Sequence, residues 1–124
     1  MDLDLANADR CITVNTTSHI YTTKEFLKDM LAKNHGHIVS IASMAGKAGM
    51  STMTDYCASK FGAVGFNEAL RLELKSLKTK VKTTCIMPFY INTGMFKGVT
   101  VNPLTMMSGM LDEGYVANRI IWAI

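Results

Sequence analysis

The chain has 124 residues, with thirteen basic and ten acidic side chains, a net charge of +3, and 48% hydrophobic against 19% charged residues. That balance excludes a disordered chain and fits one small globular piece, and so modest a charge carries no targeting information. Apolar residues never run uninterrupted for the ~18 positions of a membrane-spanning helix, and the start Met-Asp-Leu-Asp-Leu lacks the basic-then-apolar layout of a signal peptide. Cys11, Cys57 and Cys85 are odd in number and lack metal or redox spacing, which suits a reducing compartment and a packing role.

In chain order the elements alternate helix, strand, helix, strand, helix, the pattern of parallel α/β units. A first helix is expected from about Asn7 to Lys33, with Ile12, Ile20, Phe26, Leu27, Met30 and Leu31 as its apolar side and an end at Asn34-His-Gly36. Threonines at 13, 16, 17, 22 and 23 weaken its propensity, so packing must hold it. His37 to Ala42 reads as a short buried strand, and Met44 to Thr54 as a loop of small and flexible residues. Asp55 is expected to cap a helix reaching about Leu77, in which Ala58, Gly62, Gly65 and Ala69 leave room for close packing. Val81 to Met87 is the next strand, stopped by Pro88, and a last helix runs from about Asp112 to Ile124.

The chemistry concentrates at Tyr56-Cys-Ala-Ser-Lys60, with Ser43 thirteen residues upstream of the tyrosine. On a helix, positions four apart are neighbours on one face, so the Tyr56 phenol and the Lys60 ammonium meet. A phenol with a pKa near ~10 is a poor proton carrier at neutral pH, and burial makes it poorer still. A neighbouring cation that outweighs burial would lower it, and Lys60 is the expected source of that charge. Ser43 would then hold a substrate oxygen against Tyr56, the general acid or base.

These residues resemble the short-chain dehydrogenase/reductases, whose pattern is a serine about thirteen residues before Y-x-x-x-K and an asparagine on an upstream helix; Ser43, Tyr56, Lys60 and Asn15 meet it. The surrounding runs Gly36-His-Ile-Val-Ser-Ile-Ala-Ser43, Tyr56 to Phe66 and Pro88-Phe-Tyr-Ile-Asn-Thr93 extend the resemblance through nearly the whole chain. They are most similar to the branch of retinol dehydrogenases and 17β-hydroxysteroid dehydrogenases, with Thr93-Gly-Met-Phe96 as the narrower link. The resemblance implies an α/β fold, the C-terminal half of a Rossmann-type doubly wound parallel sheet, with residues 1–124 a partial domain holding the active-site half. The family's glycine-rich nucleotide turn, T-G-x-x-x-G-x-G, and its N-N-A-G segment are not among these residues, so the nucleotide-binding half is expected to be absent.

By the same resemblance the chain is an NAD(P)-dependent oxidoreductase moving a hydride between the cofactor and an alcohol or carbonyl of an apolar lipid, a retinoid or hydroxysteroid. NAD and NADP both stay open, because the residues that discriminate them follow the family's second strand. Asn15, Ser43, Tyr56 and Lys60 are the implied catalytic residues, with Asn15 bending its helix to hold a water in a proton relay. Tyr56, Lys60, Pro88, Ile91 and Thr93 are the implied cofactor contacts, although Phe89 stands where the family has glycine and alters that turn. Taken alone, the chain is expected to be inactive. A homodimer through the long helices of the full-length protein is implied. Any membrane association is expected to come from an N-terminal segment outside this sequence, with an endoplasmic reticulum or lipid-droplet location; the chain complete as given would be cytoplasmic. Two alternatives remain: a non-catalytic truncated module that pairs with a full-length relative, and a reductase of fatty-acyl carbonyls.

Outside the motif, His35 and His37 flank a glycine and find no further ligands, so no metal site is expected. Lys75, Lys78, Lys80 and Lys82 read as a solvated helix end in favourable contact with its dipole, not as a nucleic-acid site. Met95, Phe96, Met106, Met107 and Met110 gather flexible apolar side chains that could close over an apolar substrate.

Overall fold

The computed structural model describes residues 2–95 and 109–124. Residues 1–87 form one compact unit and 88–124 a second. In the first, Asp4 caps helix α1 (Leu5–Ile12), its carboxylate accepting from the Ala6 amide at 2.9 Å. The chain then widens into a π-helical turn, Thr13–Thr17, and resumes as α2, Ser18–Lys33. The single helix expected from Asn7 to Lys33 is thus interrupted around Asn15, within the threonine run.

Helix α2 stops at Asn34, whose left-handed backbone (φ 47°) lets the Asn34 and His35 amides bond back to Leu31 and Met30. The Asn34 carboxamide oxygen also accepts from the Lys80 amide at 2.8 Å and the Thr79 hydroxyl at 3.0 Å. One residue therefore closes the helix and fixes the turn that leads into the second strand.

Strand β1 (His37–Ile41) pairs in parallel with β2 (Lys82–Ile86), in the register His37 with Lys82 through Ile41 with Ile86. Between them in sequence lies α3, Thr54–Ser76. The expected N-cap Asp55 is instead the second residue of α3; Met53 precedes the helix and makes no side-chain cap bond. Asp55 still places a negative charge in the first turn, where the helix dipole favours it.

Leu70, Leu74 and Val81 form the buried centre, against which Leu27, Met30, Leu31, Ile38 and Phe66 pack. Ile20 and Phe26, expected on the apolar side of the first helix, are exposed; Phe26 instead lines an open groove with Thr22, Thr23, Met30, His37 and Ile38. The apolar stripe of α2 is wider than the surface that α3 and the two strands cover.

In the second unit the Leu111 amide bonds the Tyr90 carbonyl at 2.7 Å and the Asn92 amide bonds the Leu111 carbonyl at 3.0 Å, a short parallel bridge at Ile91. Asp112 caps α4 (Glu113–Trp122) by accepting from the Tyr115 amide at 2.7 Å, and the Arg119 guanidinium stacks over Trp122. Phe96, Met106 and Met107 lie outside the described residues; Met95 and Met110 are exposed.

Candidate active site

Ser43 stands two residues past the end of β1, in extended backbone, and its hydroxyl accepts from the Ala45 amide at 3.1 Å, capping a short 3-10 turn, Met44–Gly46. That turn lies against the backbone of α3. A Cβ on Gly46 would stand 2.5 Å from the Lys60 carbonyl oxygen, so only glycine permits the approach. The contact sets Ser43 beside the first turn of α3, which carries Tyr56, and the Ser43 and Tyr56 hydroxyls are hydrogen-bonded. The far side of the loop is held by Cys57, whose sulfur accepts from the Met50 amide at 3.3 Å.

Lys60, one turn further along α3, is 8% exposed and donates to the Ile41 carbonyl at 3.3 Å. Its Nζ stands 5.7 Å from the centroid of the Tyr56 ring. Among the described residues no carboxylate pairs with this buried ammonium. A carbonyl and an aromatic face stand in for one, and burial pushes the Lys60 pKa down. A buried charge without an acidic partner is costly to keep.

Burial also pushes the Tyr56 pKa up; the bond from Ser43 pulls it down by less. The expectation that Lys60 outweighs burial is therefore not what these residues do by themselves, because the ammonium faces the ring and the Ile41 carbonyl while the phenol loses water. The position of Tyr56 in the first turn of α3 still favours its anion through the helix dipole.

Asn15 sits in the middle of the π-helical turn. Its amide nitrogen donates to the Ser59 hydroxyl at 3.1 Å and to the Cys11 sulfur at 3.4 Å. Gly62 allows the π-helical turn to come this near, since a Cβ there would lie 2.8 Å from Thr16 Cγ2, and the Thr16 hydroxyl donates to the Ser59 carbonyl at 2.6 Å. Asn15, Ser43, Tyr56 and Lys60 are thus all in the first unit. Pro88, Ile91 and Thr93 belong to the second, where the Thr93 amide donates to the Ile91 carbonyl at 2.9 Å and Phe89 packs edge-on against Tyr90.

Sequence reasoning passed over Ser59, which is fully buried and joins the π-helical turn to α3; its only sequence signal was its place beside Lys60 in the motif. Among the described residues no group of His, Cys, Asp or Glu could hold a metal, and no helix is long and apolar enough to cross a membrane. His37 contacts the Thr84 hydroxyl at 2.8 Å, and the lysines at 75, 78, 80 and 82 are exposed.

A serine just past a strand end is thus hydrogen-bonded to a tyrosine that shares a helix face with a buried lysine, a candidate acid–base arrangement on a parallel α/β fold. The chain belongs to the short chain dehydrogenase family, whose family model matches residues 1–103. It is 44% identical over 117 residues to estradiol 17-beta-dehydrogenase 11 of Macaca fascicularis and, at the same identity and length, to epidermal retinol dehydrogenase 2 of Mus musculus. In each case the match covers 94% of this chain and 38% of the relative, so the chain spans under two fifths of their length. Its fold superposes on a crystal structure of serine dehydrogenase from Escherichia coli with a TM-score of 0.78 at 26% identity, covering 98% of this chain and 48% of that one. The fold is α/β of the Rossmann type, its parallel α/β character as the alternation of elements predicted and its Rossmann type as the resemblance implied.

Proposed function

We propose that this chain carries the acid–base part of an oxidoreductase site that exchanges a hydride between NAD(P) and a hydroxyl or carbonyl carbon of an apolar lipid, a retinoid or hydroxysteroid. The observation that carries the proposal is the Ser43–Tyr56–Lys60 arrangement: a hydrogen-bonded hydroxyl pair beside a buried cation that no carboxylate neutralises. The names of the two relatives, one an estradiol and one a retinol dehydrogenase, support the substrate class.

In alcohol oxidation, Tyr56 Oη takes the hydroxyl proton and Ser43 Oγ holds the same oxygen in place. In reduction, Tyr56 returns a proton to that oxygen. Near neutrality it is protonated, the form reduction needs, and its raised pKa makes it a weaker donor, so the bond from Ser43, which pulls the pKa down, works toward both roles. A nicotinamide, when bound, supplies the carbon that accepts or gives the hydride.

The donor set fits one end of such a cofactor. The Lys60 ammonium has three protons, of which the Ile41 carbonyl takes one, leaving donors for ribose hydroxyls. Pro88, Ile91 and Thr93 are proposed for the carboxamide, with the Thr93 hydroxyl as the side-chain group. No glycine-rich phosphate turn exists in the sequence, so the dinucleotide's other end needs residues beyond it.

Pairing of two copies through the long helices belongs to the same proposal and is supported by exposed Val14, Tyr21, Phe61 and Leu72. Location at the endoplasmic reticulum or a lipid droplet rests on the likeness to these relatives. The experiment is turnover by the full-length protein with all-trans-retinol, estradiol and a ketoacyl thioester, each with NAD and NADP. Products from retinol or estradiol support the proposal, products from the thioester alone move the substrate class to fatty-acyl carbonyls, and no turnover of any leaves the non-catalytic module.

A further inference from the structure

We infer that the end of the first unit opposite Ser43 is a contact surface for an anionic phospholipid bilayer, made by Lys33, Lys75, Lys78, Lys80 and Lys82 together with Leu77. Such a surface requires nothing of the oxidoreductase site. Both long helices end here, α2 at Lys33 and α3 at Ser76, and both strands begin here, with His37 paired to Lys82. The Asn34 carboxamide oxygen accepts from the Thr79 hydroxyl and the Lys80 amide, and the Lys82 amide donates to the Gly36 carbonyl at 2.9 Å. Lysines from two distant stretches of sequence therefore share one corner whose backbone is pinned, and all five are exposed. Ser43 lies past the far end of β1, about 20 Å away at the rise of an extended strand, so contact at this corner leaves it uncovered.

Helix dipoles account for Lys33 and Lys75, each in the last turn of its helix. They do not account for Lys80 and Lys82, which lie beyond α3, on the way into β2 and at its first residue. Lys78 has φ 54°, a left-handed backbone that glycine or asparagine adopts more cheaply, so a lysine is kept there at a cost. None of the five ammonium groups has a carboxylate partner among the described residues, and in the sequence no acidic residue follows Glu73 until Asp112. The class of partner follows from the side chains that accompany the charge. From Leu74 to Ile86 there is no arginine to grip a phosphodiester bidentately and no aromatic ring on which a base could stack, which disfavours a nucleic acid. Lysines are point charges on flexible stems, suited to a diffuse negative surface of lipid headgroups. Leu77, between Lys75 and Lys78 in the chain, is 59% exposed and supplies an apolar group for the boundary between headgroups and acyl chains.

The test distributes the full-length protein between two vesicle populations in one mixture, phosphatidylcholine alone and an equal mixture of phosphatidylcholine and phosphatidylserine. Any segment that holds a bilayer regardless of its charge cancels in the ratio. The wild type should favour the anionic vesicles, and high salt should erase the preference. Lys75→Gln, Lys78→Gln, Lys80→Gln and Lys82→Gln combined should lower the preference by about 10²–10³-fold, at about fivefold for each lysine. Arginine at the same four positions should keep it, because the charge is retained. Melting temperatures of both variants should stay near that of the wild type, since all four side chains are exposed. Equal ratios for the wild type and the glutamine variant, a preference that survives high salt, or its loss in the arginine variant as well would overturn the inference. Binding of single-stranded RNA by the wild type and not by the glutamine variant, without any vesicle preference, would make the partner a nucleic acid and overturn it equally.

Discussion

The Lys60 ammonium stands 5.7 Å from the centre of the Tyr56 ring while it donates to the Ile41 carbonyl at 3.3 Å. The carbonyl belongs to the last residue of β1, two before Ser43, so the strand that presents the serine also anchors the lysine. Sheet and helix are thereby tied at the point where the chemistry is proposed. The same burial that makes the ammonium costly removes water from the phenol, and each pKa moves toward the neutral form of its group.

Tyr56→Phe in the full-length protein should remove turnover by about 10²-fold or more while dinucleotide affinity stays near that of the wild type, since only the proton carrier is lost. A loss under about tenfold would assign the proton to another group. With Tyr56 pushed above its ordinary pKa of 10.0, alcohol oxidation, which needs the phenolate, should accelerate through the alkaline range. Carbonyl reduction, which needs the phenol, should stay level near neutrality. Rate profiles against pH in both directions check the pair.

Lys60→Ala should damage turnover and dinucleotide affinity together, because one ammonium is proposed to serve the Tyr56 ring and the ribose. Titration calorimetry with NAD and NADP on wild type and variant reads the second effect. Unchanged affinity would leave Lys60 only its contacts with Ile41 and Tyr56.

Gly46→Ala should destabilise the fold by about 1–3 kcal/mol and lower kcat, because the new methyl meets main chain and the turn carrying Ser43 must move. The obstructing atom is the Lys60 carbonyl oxygen, 2.5 Å away, not the end of a side chain that could swing aside. Gly49→Ala, which adds a methyl where nothing lies within 4 Å, is the control. Thermal melts of both variants, with turnover, decide whether the close approach matters.

Ser43, Tyr56 and Lys60 were legible because their spacing is local: a strand end, a short loop and one helical turn fix them. The α/β alternation and both strands, to within a residue or so at each end, were legible for the same reason. The π-helical turn was not. A run of threonines announces weak helix propensity but not which extra carbonyl the helix will skip, and that is settled by the Thr16 and Asn15 bonds to Ser59, 43 and 44 residues away. Phe26 and Ile20 were assigned to the core from periodicity, which gives the side of a helix but not how much of it a neighbour covers. The Tyr56 pKa turned on burial, a quantity that i,i+4 spacing does not contain.

His19 gives a stability signature near neutral pH. Its pKa is lowered from 6.5 by burial and, secondarily, by the Lys60 charge, and its ring lies 6.3 Å from that of Phe66. Below 6.5 the unfolded chain binds a proton that the folded chain resists. The contribution of His19 is therefore present above pH 6.5 and is lost as pH falls through its lower folded value. His19→Gln should flatten the fall of melting temperature between about pH 7 and pH 5, a window set by the ordinary histidine range. Parallel slopes for wild type and variant would place the acid sensitivity elsewhere.

Residues 1–124 expressed by themselves should neither bind a nicotinamide dinucleotide at micromolar concentration nor oxidise an alcohol, although Asn15, Ser43, Tyr56 and Lys60 are all present. The groups proposed as cofactor contacts would serve only its nicotinamide end, and the sequence contains no glycine-rich turn to receive a pyrophosphate. Without that anchor the reactive ring is not held near Tyr56, and the advantage of proximity, which can reach about 7–11 kcal/mol of a barrier, is lost. Association or poor solubility should accompany the inactivity, because Phe26, Ile41 and Phe61 are exposed in the first unit. Calorimetric titration of soluble, folded material with NAD and NADP is the measurement. A one-site isotherm in the micromolar range would show that these residues form a dinucleotide site by another route, and would move the proposed cofactor contacts away from Lys60 and Thr93.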